Sequence, residues 1–174
     1  MRKKRLLQLT AALLCAVILS ACGGAPADAD YTCTVSISCA TILDNMDQCA
    51  ESKKELVPAD GVILPPTEVA FAEGESAFDV LQRVCRDNGI HLESKFTPVY
   101  NSAYIQGIHN IYEFDVGKLS GWMYSVNDWF PNYGCSLYQV QDGDVIHWVY
   151  TCDLGADVGG GQAAGDGQQE GAST

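Results

Sequence analysis

Residues 120–152 read SGWMYSVNDWFPNYGCSLYQVQDGDVIHWVYTC and contain all three tryptophans of the chain. Turn residues divide this stretch into three apolar, aromatic-rich runs, 122–126, 137–140 and 145–150. In the first run every second residue is bulky and apolar, a period of two that predicts a strand with one buried face. Asp142-Gly143 tolerates the positive φ angles of a two-residue type I′ turn, so the last two runs are predicted to form a β-hairpin.

Upstream of this stretch, the sequence predicts one clear strand and one clear helix. Residues 31–39 alternate between apolar or cysteine side chains and hydroxyl-bearing ones, which is typical of a half-buried strand. Ser76 and Asp79 match a capping box, apolar residues follow at helical spacing, and Gly89 suits the position after a helix. One helix on a mixed sheet, with strong first and last strands, predicts an α+β fold of β-grasp-like architecture.

Weaker patterns predict the remaining elements of the domain. They are a weak helix over 40–54, short strands at 62–64 and 67–71 separated by Pro65-Pro66, and strands or extended arms within 91–100 and 102–114. The domain is therefore predicted to span residues 31–154. Residues 155–174 are rich in Gly, Ala and Gln without apolar periodicity, which predicts a disordered tail.

The first residues of the chain predict export. A basic start precedes a mostly apolar stretch, and Leu19-Ser20-Ala21-Cys22 has the small residues and the cysteine of a bacterial lipobox. We expect residues 1–21 to be removed as a lipoprotein signal peptide and Cys22 to be lipidated, which would anchor the protein at the extracytoplasmic face of the cell membrane. Residues 22–30 would then form a flexible tether. The alternative is an uncleaved anchor with an unmodified Cys22.

The charge balance argues against nucleic acid as a partner. Removing residues 1–21 takes away four of the ten basic residues and none of the acidic ones, so the formal net charge changes from −12 to −16. Such a surface repels phosphate backbones and offers no basic patch.

Motifs for catalysis or metal binding are weak. His91, His109 and His147 lie on predicted strands or arms, with no nucleophile or metalloprotease motif around them. Asp142 and Asp144 stand close together, but the further oxygen ligands of a calcium loop are missing. The sequence predicts a protein that is not an enzyme, with no metal site, in which His147 is a polar partner on a strand face.

The stretch 128–134 falls between predicted strands, where a loop is expected, and yet it contains three aromatic residues. A loop that exposes this much apolar area is typical of a binding surface, whereas aromatic residues that cap the end of the core are the alternative. The candidate ligand-binding residues are Trp129, Phe130, Tyr133, Asn127 and Asn132, with Tyr100 and Tyr104 near the same end.

Several segments together form a recognisable pattern. They are Phe78-Asp79-Val80-Leu81, Ser102-Ala103-Tyr104-Ile105 with Gly107-Ile108, Gly121-Trp122-Met123-Tyr124-Ser125-Val126-Asn127, Asp142-Gly143-Asp144, and Trp148-Val149-Tyr150. With this pattern the domain resembles bacterial lipoproteins that carry a domain of unknown function (DUF4430) similar to the C-terminal β-domain of transcobalamin and intrinsic factor. In the vertebrate relatives, cobalamin lies between an α-helical barrel domain and this β-domain. The resemblance implies a membrane-anchored cell-surface protein and a corrinoid as a ligand.

Six cysteines follow Cys22: Cys33, Cys39, Cys49, Cys85, Cys135 and Cys152. In an exported domain an even number favours disulfides, with 15 connectivities for six cysteines, although some could stay as buried free thiols. The first and last strands of a β-grasp arrangement lie side by side and parallel. Cys39 and Cys152 would then reach the same edge of the sheet and form the leading pair, with Cys85 and Cys135 as the second.

Two classes of function follow from these observations. The first is a surface-anchored binding module for a small planar or cyclic ligand such as a corrinoid, with no other cofactor. The second is a protein- or glycan-interaction domain on the cell surface, such as an adhesin-like or assembly component. Quenching of tryptophan fluorescence by cobinamide would favour the first class, and retention on a partner would favour the second.

Overall fold

The structure is a computed structural model that describes residue 26 and residues 29–161. The predicted signal peptide, the lipidation site Cys22, most of the tether and residues 162–174 lie outside the described residues. The strands are β1 (Tyr31–Ser38), β2 (Val62–Phe71), β3 (Leu92–Thr97), β4 (Ser102–Ile108), β5 (Ile111–Tyr112), β6 (Gly121–Val126) and β7 (Val145–Thr151), and the α-helix is α1 (Ala77–Asp87).

The first sheet is mixed and has the strand order β2-β1-β7-β6. β1 and β7 run parallel at its centre, with Ile37 opposite Trp148, while β2 and β6 pair antiparallel on the outer sides. Apolar side chains from alternate positions of β1, β6 and β7 share one core with residues of α1 and β4. The predicted α+β class, and the parallel first and last strands of a β-grasp-like sheet, are confirmed.

The prediction of a β-hairpin is wrong for its first strand, residues 137–140. A turn forms at Asp142-Gly143 and leads into β7, but only Gly143 has a positive φ, 81°, so it is not the predicted type I′ turn. Residues 137–140, however, do not pair with β7. Their backbone groups meet the start of α1, where the Val140 N–H donates to the Glu75 carbonyl at 3.0 Å. The antiparallel neighbour of β7 is therefore the earlier strand β6.

The prediction that Pro65 and Pro66 divide this segment into two strands is wrong. β2 continues through both prolines. β2 lies at the edge of its sheet, and its register with β1 shifts between Val35 and Ile37, close to the prolines. An edge strand tolerates proline because one row of its N–H groups has no ladder partner to lose.

The second sheet is antiparallel and has the order β3-β4-β5. It contains the two predicted extended arms, so their strand character is confirmed. The sequence does not predict that these strands form a sheet separate from the first one. The two sheets meet where β4 contacts β6, and this junction positions the candidate site.

The capping box that begins α1 is confirmed. The Ser76 Oγ accepts from the Asp79 N–H at 3.2 Å, and the Ser76 N–H donates to the Asp79 carboxylate at 2.9 Å. Farther along the helix, the buried Arg83 pairs with Glu75 and donates to the Ala70 carbonyl at 2.8 Å. These contacts tie the helix to the end of β2.

Short 3₁₀ helices flank the sheet. The predicted weak helix over 40–54 forms as two of them, Ala40–Asn45 and Glu51–Leu56. A third, Ala156–Val158, falls in the predicted disordered tail, where Asp157 accepts from the Cys152 N–H at 2.7 Å. That prediction is therefore wrong for residues 155–161, while residues 162–174 lie outside the described residues.

All six cysteines of the domain are free thiols in the structure, so neither predicted disulfide is formed in it. Cys39 and Cys152 nevertheless follow the adjacent parallel strands β1 and β7 and lie at the same end of the sheet. The Cys152 Sγ is 3.8 Å from the Thr41 Oγ1, in the 3₁₀ helix that Cys39 precedes. The Cys39–Cys152 pairing stays a prediction.

The second predicted pair is placed differently. The Cys135 carbonyl accepts from the Phe78 N–H at 3.3 Å in the first turn of α1, whereas Cys85 lies two turns further along, about 10 Å by the helical rise. The Cys135 thiol faces the Ala103 carbonyl at 3.7 Å. Burial raises the pKa of both Cys85 and Cys135 to about 12, so these thiols stay protonated at neutral pH.

Candidate functional site

An apolar cleft opens between β4 of the second sheet and β6 of the first, and it encloses a cavity of about 190 Å³. The loop of residues 127–136, called the aromatic loop below, closes one side of it. The cleft is lined by Ala103, Tyr104, Ile105, Trp122, Met123, Tyr124, Pro131, Gly134, Cys135 and Trp148. A cavity of this size holds a group of about one aromatic ring.

The aromatic loop leaves β6 through a tight turn. Asn127 and Asp128 have φ angles of 51° and 65°, and the Val126 and Trp129 backbones exchange hydrogen bonds of 2.8 and 2.9 Å across them. Further along, the Tyr133 carbonyl accepts from the Tyr124 hydroxyl at 3.0 Å. The loop is thus fixed to β6 at both its first turn and its middle.

Gly134 brings the aromatic loop into direct contact with β4. A Cβ at this position would lie 1.8 Å from the Ser102 Oγ, so no larger residue fits without displacing the loop. Next to it, the Ser136 hydroxyl lies 2.8 Å from the Ser102 hydroxyl and accepts from the Ala103 N–H at 3.0 Å. These contacts hold the loop over the junction of the two sheets.

Aromatic rings from the first sheet form the wall of the cleft. The rings of Tyr124 and Trp148 stack with centroids 5.4 Å apart, and those of Trp122 and Tyr150 meet edge to face at 5.3 Å. The Trp122 indole N–H donates to the Ile111 carbonyl at 2.8 Å. Because the rings pack against one another, the wall is rigid and needs little ordering when a ligand binds.

Among the candidate residues, Tyr104 lines the cleft, whereas Trp129 and Tyr133 lie outside its lining, on the loop that closes it. Trp129 is 52% exposed, and its ring meets that of Tyr133 edge to face with centroids 6.0 Å apart. Tyr104 lines the cleft from β4, and its hydroxyl donates to Glu113 at 2.6 Å. All three side chains are partly exposed, and they are called the rim residues below.

The other candidates are placed differently. Phe130 is half-buried and lies against Gly160 of the C-terminal segment. The Asn127 amide donates to Asp144 and accepts from the Val145 N–H, which leaves it a structural role in the turn. Asn132 is exposed on the loop, and Tyr100, 73% exposed, stands at the tip of the β3–β4 hairpin.

Tyr104 is the one lining residue among the predicted ligand-binding residues, and Trp148 is one of those that sequence reasoning missed. Its position on β7 predicts burial, and it is indeed only 1% exposed. Its indole N–H, however, has no hydrogen-bond partner among the described residues. A strand pattern predicts which face is buried, and it cannot show that a buried donor lacks an acceptor.

Within the described part of the chain, none of the side chains that line the cleft is charged. Burial raises the pKa of the Cys135 thiol to about 12 and also raises the pKa of the Tyr124 hydroxyl, so both lining groups are neutral. An ionised ligand group would lose its hydration here without gaining a counter-charge. The site therefore favours uncharged groups.

The histidines form no comparable site. His147 is a polar partner on the outer sheet face, as predicted, with its Nδ1 2.6 Å from the Ser36 Oγ. Over residues 29–161, no group of three or more His, Cys, Asp and Glu side chains is arranged to hold a metal ion. Within the same range, no helix has the length and apolar character needed to cross a membrane.

The molecule is thus an α+β domain of β-grasp type with an apolar cleft between its two sheets. Residues 74–152 match the model of the family described as "Domain of unknown function (DUF4430)". The matched range runs from the start of α1 to the end of β7. It contains all of the residues that line the cleft.

Two solved structures are similar to the chain at low identity. One is haptocorrin in complex with Cbi, with a TM-score of 0.48 and 14% identity over 71% of this chain and 26% of that chain. The other, from Ruminococcus gnavus ATCC 29149, is described as a "putative metal binding protein" and has a TM-score of 0.41 and 14% identity over 70% of this chain and 97% of that one. The chain thus spans about a quarter of the haptocorrin chain. No curated protein sequence matches it significantly.

Proposed function

We propose that this chain is a non-enzymatic binding module for an uncharged small ligand that contains a ring. The observation that carries the proposal is that the loop beside an aromatic-walled cleft exposes aromatic side chains of its own. Trp129 and Tyr133 are partly exposed on the loop that closes the cleft, while Tyr124 and Trp148 form its wall. Rigid rings of this kind supply a large contact area at a small entropic cost.

A corrinoid is the first ligand to test, because the resemblance to transcobalamin-type β-domains implies one. The corrin macrocycle is much larger than a cavity of about 190 Å³. A bound corrinoid would therefore rest its ring on Trp129 and Tyr133, and only a peripheral group would enter the cleft. The many uncharged amide groups at the edge of cobinamide suit the uncharged lining.

The proposed location of this module is the extracytoplasmic face of the cell membrane. Lipid attached to Cys22 would anchor it there, and residues 22–30 would separate the domain from the bilayer. Replacing Cys22 with alanine should release the protein into the medium. Retention of the Cys22→Ala protein in the membrane fraction would contradict the lipid anchor.

The binding proposal is tested on residues 22–174 produced without the lipid, with cobinamide and a set of uncharged ring compounds as probes. Intrinsic tryptophan fluorescence should be quenched by at least one probe. Trp129→Ala and Tyr133→Ala should each weaken that binding by roughly tenfold or more, as expected for aromatic anchors. Phe114→Ala is the matched control, because Phe114 is an exposed aromatic residue, at 62%, that lies outside the aromatic loop and the cleft.

The outcomes of this test separate the two classes of function. Equal losses of binding affinity in the loop variants and in the Phe114 control would show that the loop has no special role in binding. A complete absence of quenching would contradict the small-ligand proposal.

The second candidate function is protein or glycan interaction, and the β3–β4 hairpin favours it. Phe96, Val99 and Tyr100 are all exposed at or near the tip of this hairpin. Exposed apolar groups in a row are typical of a surface that contacts a partner. In that case Val99→Ser with Tyr100→Ser should abolish retention on the partner and leave small-ligand binding unchanged.

A further inference from the structure

The polar groups that line the cleft are already engaged, with one exception. The Trp122 indole donates to a backbone carbonyl, the Tyr124 and Tyr104 hydroxyls donate to Tyr133 and Glu113, and the Cys135 thiol faces a carbonyl. Among the described residues, the Trp148 Nε1–H is the one lining side-chain donor without an acceptor.

A buried donor without an acceptor is costly in a folded protein. Such a group loses its hydration, typically at about 1–3 kcal/mol, and unpaired groups in native structures are uncommon. The cost is recovered when a bound molecule supplies the acceptor. Trp148 lines the cleft, but its indole nitrogen is itself buried, so an acceptor on a ligand pairs with this donor when the neighbouring side chains shift to admit that atom.

The size and chemistry of the cavity restrict that ligand. A volume of about 190 Å³ admits a group of about one ring. The walls are aromatic and aliphatic, and no lining side chain is charged. An acceptor atom on an uncharged ring-sized group meets all of these conditions.

We propose that the cleft binds an uncharged, ring-sized group that carries a hydrogen-bond acceptor, and that the Trp148 Nε1–H donates to this acceptor. The inference rests on the proposed function, since it assigns the chemistry of the group that enters the same cleft. It adds a specificity-determining residue from the floor of the site to the rim residues Trp129 and Tyr133.

Benzene and pyridine form a suitable pair of probes, because they have the same shape and differ by one acceptor atom. Their affinities for residues 22–174 are measured by NMR at mildly alkaline pH, where pyridine is uncharged. The same pair is measured on Trp148→Phe, which keeps an aromatic ring and removes the donor. Comparing the ratio of the two affinities between the proteins cancels the different hydration of the probes.

We expect the preference for pyridine over benzene to fall by roughly three- to tenfold in Trp148→Phe, the effect of one hydrogen bond. In the unchanged protein, pyridine should move the Trp148 indole N–H signal downfield and benzene should not. This second measurement needs no variant of Trp148, because a Trp129→Phe sample identifies the exposed indole and Trp122 is already hydrogen-bonded. It therefore still decides the question if Trp148→Phe does not fold.

An unchanged ratio, or equal shifts with both probes, would overturn the assignment of Trp148 as the donor. Failure of both small rings to enter would also overturn it. If larger ring compounds still quenched the fluorescence of Trp129 in that case, the proposed function would survive and the inference about the cavity would not. Loss of all binding would contradict both.

Discussion

Asp144 is the residue whose replacement should most disturb the aromatic loop. It is only 5% exposed, and its carboxylate accepts three hydrogen bonds, from the Asn127 amide at 2.8 Å, the Tyr138 hydroxyl at 2.9 Å and the Gln141 N–H at 2.8 Å. Asn127 begins the loop and Tyr138 follows its end. One side chain thus connects both ends of the loop to the turn before β7.

Replacing Asp144 with alanine leaves three donors without their acceptor. A hydrogen bond contributes about 1 kcal/mol, or more to a charged group, so the free energy of unfolding should fall by about 3 kcal/mol. At roughly 4 °C per kcal/mol for a domain of this size, the melting temperature should fall by about 12 °C. The affinity of the aromatic loop for a ring probe should fall as well, since the loop loses these hydrogen bonds.

Asp142→Ala is the matched control, because Asp142 lies on the other side of Gly143 and accepts one exposed hydrogen bond, from the Thr32 N–H at 3.0 Å. Its loss should cost less than about 1 kcal/mol. Urea unfolding of both variants, followed by circular dichroism, measures the difference. Equal losses in the two variants would refute the reasoning that the buried carboxylate supports the loop.

Three further predictions follow from the same structure. Trp129→Ala should change the melting temperature little, whereas Phe130→Ala should lower it clearly, because Phe130 packs on the C-terminal segment. Calorimetry on both variants checks this, and a larger fall in melting temperature for Trp129→Ala than for Phe130→Ala would contradict it. Non-reducing peptide mapping of the exported protein should show Cys39 joined to Cys152, and a Cys39 that is joined elsewhere or free would refute the pairing. Burial, followed by the Asp144 carboxylate, raises the pKa of Tyr138 from 10.0 to about 12. The contribution of the Tyr138 phenol to stability should therefore be complete below pH 10 and be lost as the pH rises through about 12. Unfolding is measured together with tyrosinate absorbance over this range, and a constant free energy of unfolding would contradict the prediction.

Local patterns predicted the elements whose partners are encoded nearby. The capping box of Ser76 and Asp79 involves residues three apart, and alternation along residues 31–39 reports which face of β1 is buried. Such signals need no knowledge of the rest of the chain. The α+β class and the parallel central strands follow from the order of these elements.

The errors arose where a distant segment competed for the same backbone groups. Asp142-Gly143 signals a turn and does not specify the strand that pairs with β7, and the start of α1 takes the groups of residues 137–140. Pro65-Pro66 was expected to break a strand, yet an edge position accommodates it. Both outcomes depend on tertiary placement, which periodicity does not contain.

The candidate site was predicted in part for the same reason. The aromatic composition of residues 128–134 indicates an exposed rim, and Trp129 and Tyr133 are indeed partly exposed there. The opposite wall comes from Trp148 on the last strand, and β4 brings Tyr104 from the second sheet. A cleft formed by three separate segments can be recognised only when the sheets are assembled.

The most direct test of the account is to map where small molecules bind. ¹⁵N spectra of residues 22–174 are recorded with cobinamide and with a library of uncharged ring compounds, and the shift changes are placed on the structure. Changes should cluster in residues 103–105, 122–124 and 131–135, which line the cleft. Clustering instead at the separate surface cavity beside Tyr31 and Phe71, or no localised changes with any compound, would contradict the claim that the cleft is the ligand site.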